Sequence, residues 1–90
     1  MKCIMVVDLI SWDSLFNIDN TQNILNVEFE SKNQARKLLK YYNFNIFKNK
    51  WYIWFKNKNK KVECSLILEQ VKELNDKNEF IKLIESLKDE

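Results

Sequence analysis

Ninety residues pass without a single glycine or proline. At ordinary usage, near 7% Gly, a chain of this length carries about six glycines. Every turn that needs a positive φ must therefore use another residue, and Asn is the next most tolerant. Asn stands where the hydrophobic pattern breaks, at Asn43, Asn49, Asn57, Asn59 and Asn75. These positions are predicted to carry the turns. The same absence excludes function classes. Without glycine there is no loop whose backbone can cradle a phosphate. Histidine is also missing, which removes the usual general base and a common metal ligand. No cofactor is expected.

The apolar pattern between these turns sets the fold class. Residues 2–10 are apolar on both alternating faces, as in a central strand covered on both sides. Residues 11–23 (SWDSLFNIDNTQN) read as a connection with one helical turn at most, in which Trp12, Leu15 and Phe16 tuck onto the core. Residues 24–30 alternate as a second strand, with Leu25, Val27 and Phe29 on one face and Asn26, Glu28 and Glu30 on the other. Ser31 and Gln34 form a capping-box pattern. Ala35, Leu38, Leu39 and Tyr42 then make a helical apolar stripe, with Lys32, Arg36, Lys37 and Lys40 mainly away from it. Asn43 is placed to close that helix in a left-handed conformation.

Residues 44–69 read as a three-stranded meander of strands 44–48, 51–57 and 61–69. Asn49 and Lys50 make the first turn; Lys58, Asn59 and Lys60 make the second. Val62, Cys64, Leu66 and Leu68 alternate as on a half-buried strand. A competing reading makes 65–74 helical through Ile67, Val71 and Leu74. Asp76 with Glu79 starts a last helix, on which Phe80, Leu83, Ile84 and Leu87 recur at helical spacing. The expectation is a single α+β domain over 1–90 in the order ββαβββα. Four to five antiparallel strands would carry two amphipathic helices on one face.

At 46% hydrophobic residues, a core can form without disulfide or metal. Cys3 and Cys64 lie far apart on apolar strands and are expected to be buried reduced thiols. No run reaches the ~18 apolar residues of a membrane span. Residues 3–10 are interrupted by Asp8 and followed by Trp12, which suits a strand rather than a signal peptide. The expected location is cytoplasmic.

Charge is strongly segregated along the chain, although the net formal charge is only +2. Residues 1–31 hold Lys2 against Asp8, Asp13, Asp19, Glu28 and Glu30. Every charge in residues 32–61 is positive: Lys32, Arg36, Lys37, Lys40, Lys48, Lys50, Lys56, Lys58, Lys60 and Lys61. Residues 62–90 are again acidic in balance. Such a segment points to a polyanionic partner. It also carries Trp51, Tyr52, Trp54 and Phe55. Alternation puts Tyr52 and Trp54 opposite Trp51, Ile53 and Phe55, so one pair of rings can face outward among lysines. The candidate binding residues are Lys48, Lys50, Tyr52, Trp54, Lys56, Lys58, Lys60 and Lys61, with Arg36, Lys37 and Lys40 on the helix.

Three readings of that hairpin stay open. Aromatics among cations stack bases and track phosphates. The same residues make protein–protein hot spots. Lysines on an edge hairpin also simply discourage aggregation. Glu28 and Glu30, which share a strand face, and Asp8 are the candidates for a metal-dependent nuclease, set against the plainer reading of a wet strand face.

The segment Ile4–Ser11 (IMVVDLIS), an apolar strand reaching Asp8, resembles the start of the small CRISPR-associated ferredoxin-like endoribonuclease and integration-adaptor family. The likeness ends there: the predicted element order differs and the family's Gln-x-Ser-Val-Phe type segment is not visible, so no activity is carried over. In being short, glycine-poor, motif-free and charge-segregated, with an Asn, Lys and Ile bias that suggests an AT-rich genome, the chain resembles small phage-encoded anti-defence proteins, anti-CRISPRs among them. That resemblance implies a non-enzymatic inhibitor or accessory docking on a protein or ribonucleoprotein effector, in the host cytoplasm. A direct RNA- or DNA-binding regulator is the alternative, and no membrane partner is expected.

Overall fold

The computed structural model describes residues 2–13, 15 and 18–88. Its elements are β1 (Cys3–Asp13), β2 (Ile18–Phe29), α1 (Lys32–Tyr41), β3 (Asn45–Phe47), β4 (Lys50–Phe55), a 3-10 turn over Lys56–Lys58, β5 (Lys60–Ile67) and α2 (Lys77–Lys88). The five strands form one antiparallel sheet in the order β2-β1-β5-β4-β3. This is the α+β arrangement that the alternation and the two helical stripes imply. Strand β2 is the next described element after β1 and pairs antiparallel with it, whereas the βαββαβ order of ferredoxin-like folds places a helix after the first strand.

The register sorts the side chains into two faces. On one, Met5, Val7, Val27, Val62, Cys64 and Trp51 share a core with Ala35 and Leu39 of α1 and Phe80, Ile84 and Leu87 of α2. Both helices therefore lie on this face. Leu38 and Leu83 are half-buried at its margin. Cys3 and Cys64 are buried free thiols, and burial raises the pKa of both.

Among the described residues no helix lies on the other face. Asp8, Glu63, Tyr52 and Asn45 lie in one row across it, and Ile10, Lys61 and Trp54 in the next. Covering on both sides, as expected for β1, holds only at its start. There Ile4 is buried, with residues 68–74 running beside it and Glu28.

Local devices follow the residues. Ser31 Oγ accepts the Gln34 backbone N–H at 3.3 Å. At the other end of α1, Asn43 N–H donates to Lys40 O and Phe44 N–H to Leu39 O, both at 3.0 Å. With Asn43 at φ 63°, this is a Schellman termination using Asn where Gly is usual. Asp76 starts α2 by accepting the Asn78 N–H on its carboxylate at 2.8 Å.

Several boundaries differ from the sequence expectation. Residues 11–13 and 18–23 extend β1 and β2 instead of forming a connection. They alternate polar with apolar weakly because they project past the helix layer, so ladder hydrogen bonds rather than burial hold them. Trp12 turns to the helix-free face, Leu15 is 87% exposed, and Phe16 lies outside the described residues. The first tight turn falls on Lys48 and Asn49, at φ 50° and 66°, and Lys50 already opens β4 opposite Phe47. Two positive φ values make this a type I′ turn, whose twist suits a hairpin.

Strand β4 stops at Phe55, and a 3-10 turn delivers Asn59 at φ 53°. Strand β5 ends at Ile67, leaving Leu68 exposed, and 65–74 is not helical. Asn57 and Asn75 are not left-handed. Asn75 instead clasps the edge of β2: its N–H donates to Asn26 O at 2.7 Å, and its side-chain oxygen accepts the Asn26 N–H at 2.9 Å. No helix among the described residues is long and apolar enough to cross a membrane.

Candidate binding surface

The helix-free face of β3, β4 and β5 gathers part of the predicted site. Tyr52 stands opposite Glu63, and Trp54 opposite Lys61. The Lys61 ammonium lies 4.7 Å from the Trp54 ring centroid and 5.5 Å from that of Tyr52. Glu63 holds the same ammonium at 2.7 Å, and Lys50 approaches Glu63 at 3.9 Å. The Lys61 side chain is consequently only 20% exposed. Its charge is matched and its stem is packed, so it acts as a spacer between two rings more than as a free cation.

Phe47, 64% exposed, extends this aromatic row toward the edge of the sheet. Lys48 lies 5.3 Å from its ring centroid. With Lys50, Tyr52, Trp54, Lys61 and Glu63, these two residues line an open depression of about 370 Å³. Lys48 and Lys50 are exposed at its rim. Lys56 is also exposed, but sits beyond Trp54 on the 3-10 turn.

The remaining predicted residues lie elsewhere. Lys60 stands opposite Phe55 and Ser11, on the face opposite Lys61. Lys58 donates to the Ser86 carbonyl at 2.8 Å, tying the turn to the last turn of α2. Arg36, Lys37 and Lys40 are exposed on α1, behind the sheet, and Arg36 donates to Asn33 at 3.5 Å. The basic segment is thus continuous in sequence and divided in space.

Three contributors are not among the candidate binding residues: Trp12, expected on the core; Phe47, which counts only as one of the aromatics of the basic segment; and Glu63. Trp12 meets Trp54 edge to face, with centroids 5.3 Å apart, and its backbone N–H donates to Asn59 O at 3.1 Å. The signal was the alternation Asp8, Ile10, Trp12, which continues that of β1. Glu63 shares the face of Lys61 by the same period of two. Phe47 is an exposed ring at the turn.

The carboxylates considered for metal chemistry do not converge. Asp8 accepts from the Asn23 amide at 3.2 Å, whereas Glu28 pairs with Lys2 at 3.6 Å. Glu28 lies opposite Ile4, four residues along β1 from Asp8, which is about 13 Å at the rise of a strand.

Comparison with protein-family models, with curated proteins and with solved structures finds no match to this chain.

Proposed function

We propose that this chain is a non-enzymatic docking protein, an inhibitor or accessory that seats the aromatic face of β3–β5 on a nucleic-acid-handling complex of the CRISPR-type defence kind. The observation that carries the reading is the row Phe47, Tyr52 and Trp54 on an uncovered sheet face, rimmed by Lys48, Lys50 and Lys56. Large rings anchored in place are what protein hot spots use. Rim lysines add steering toward a surface that also presents phosphate. The Lys61 ammonium sits against Tyr52 and Trp54, so a nucleobase stacking there must displace it from Glu63. That cost favours a protein surface over a base as the occupant. In this reading the protein acts in the cytoplasm of a host cell.

A direct RNA- or DNA-binding module is the second reading. Phe47 favours it, since its ring is exposed, with Lys48 next to it in the turn and Lys50 opposite it on β4. One experiment separates the two. Purified CRISPR effector ribonucleoproteins, the same effectors without guide, and bare single- and double-stranded probes are each titrated with the chain at low and physiological salt. Docking predicts a stoichiometric complex with an effector that survives physiological salt, and weak binding to bare probes. Tight binding to bare probes, lost along a log–log salt slope of about −0.7 per phosphate contact on single strands, establishes the second reading instead. If no effector binds, the docking proposal fails.

A further inference from the structure

The other side of the sheet ends in β2, which pairs with β1 alone. Trp12 N–H bonds to Asn59 O, so the even-numbered residues of β1 from Asp8 to Trp12 turn their backbone groups toward β5. The odd-numbered ones turn theirs toward β2. With Ser11 opposite Asn20 and Leu9 opposite Gln22, Asn20 and Gln22 spend their backbone groups on β1. Asp19, Thr21 and Asn23 therefore point their N–H and C=O groups out of the sheet. The next outward residue beyond the bulge at Ile24 is Asn26, which Asn75 has already satisfied. Among the described residues nothing covers the three before it.

Edges of this kind are usually blunted by lysine, proline, shortness, a bulge or a covering segment. On β2 the bulge at Ile24 and the Asn75 clasp on Asn26 lie toward Phe29, and residues 19–23 include no lysine or proline. Strand β2 is 12 residues long, the chain has no proline, and residues 3–31 contain no Lys or Arg in a protein otherwise rich in them.

We infer that this edge is a self-association site, at which β2 of a second copy of this chain pairs antiparallel across a two-fold axis through Thr21. The register is fixed by the outward groups. Thr21 faces Thr21 of the second copy, and Asp19 faces its Asn23. All of these carry outward N–H and C=O groups, so each facing pair exchanges two backbone bonds. Side chains agree with this pairing. Threonines facing each other are a favourable cross-strand pair, and the one charge, Asp19, meets a neutral amide. The helix layer lies over the other end of β2, beginning near Val27. Antiparallel pairing about Thr21 sends the two helix layers to opposite ends, where they do not collide. The paired segment is short and below the ~1,000 Å² of stable interfaces, so the dimer is a weak one.

Sedimentation velocity of the full chain over a dilution series reaching about 1 mM reads this directly, that being the dissociation constant of a contact worth ~4 kcal/mol. A reversible monomer–dimer equilibrium is expected. Thr21→Lys and Thr21→Glu each place like charges opposite one another at the axis and should weaken the dimer about tenfold or more. Mixing the two variants should restore it, which only folded chains can do. The inference is overturned by a monomer throughout, by a dimer indifferent to both substitutions, or by a mixture no more dimeric than its components. None of these outcomes touches the proposed docking face.

Discussion

Trp12 and Trp54 meet edge to face at 5.3 Å, joining the far end of the β1–β2 hairpin to the middle of the basic hairpin. Such ring pairs are worth about 0.5–1.5 kcal/mol beyond the area they bury. Trp12→Ala should lower stability by at least that amount in urea denaturation. It should also shift the emission of the remaining tryptophans to the red, because Trp54 loses its cover. Docking should weaken too, although Trp12 lies outside the basic segment.

Glu63 holds Lys61 at 2.7 Å and Lys50 at 3.9 Å. Glu63→Gln releases both. Binding to a single-stranded RNA probe at low salt should tighten, and the log–log salt slope should steepen by about 0.7 for each lysine that reaches a phosphate. An unchanged slope would mean that these lysines never approach the probe.

The exposed rim is Lys48, Lys50 and Lys56. Reversing all three to Glu should cut docking about tenfold or more, as for loss of favourable rim electrostatics. Each change should leave stability within about ±0.5 kcal/mol. Lys58→Glu is the contrast. Lys58 bonds the Ser86 carbonyl in the last turn of α2, so its reversal loses a charged hydrogen bond and sets an acid at a helix C-terminus. It should cost about 1–3 kcal/mol in thermal or urea unfolding.

On α2, Ile84 is fully buried while Leu83 sits at the margin of the core. Ile84→Ala should cost about 2–5 kcal/mol, the range for truncating an enclosed aliphatic side chain. Leu83→Ala should cost clearly less, and urea midpoints at equal m-values compare the two.

Burial raises the Cys64 thiol pKa above its ordinary value of 9.0, helped by the nearby Asp8 and Glu63 charges, and raises that of Cys3 as well. The folded state then keeps protons that the unfolded chain gives up. The contribution of the two thiols is at its full value below pH 9 and is lost as pH rises past it, by at most about 1.4 kcal/mol per pH unit for each thiol. Cys64→Ala should flatten the alkaline arm of a plot of urea midpoint against pH.

The strands and helices that bury a stripe were legible because burial imposes a period: Val62 and Cys64 on β5, Phe80 and Ile84 on α2. The extension of β1 and β2 was not, because past the helix layer neither face is buried and period-two contrast fades. The turn slipped by one residue because Lys48, a poor choice for positive φ, takes a place that Asn would fill more readily. The basic residues were legible as a list, but strand alternation and helix placement decide which of them meet. Alternation alone separates Lys60 from Lys61. The partnership of Lys61 with Glu63 crosses the boundary where charge changes sign along the sequence.

The position of β1 between β2 and β5 bears on the order in which the protein is made. Residue 29 completes the first hairpin, but β1 remains an outer strand until residue 67 has emerged. At about 5–20 residues per second of synthesis, that delay is about 2–8 s. Throughout it, Met5 and Val7 have neither Cys64 nor Phe80 and Ile84 of α2 to pack against. A ribosome stalled in this interval would display a two-stranded ribbon with apolar residues on both sides, so this is the stage at which a chaperone or an aggregate competes for the chain.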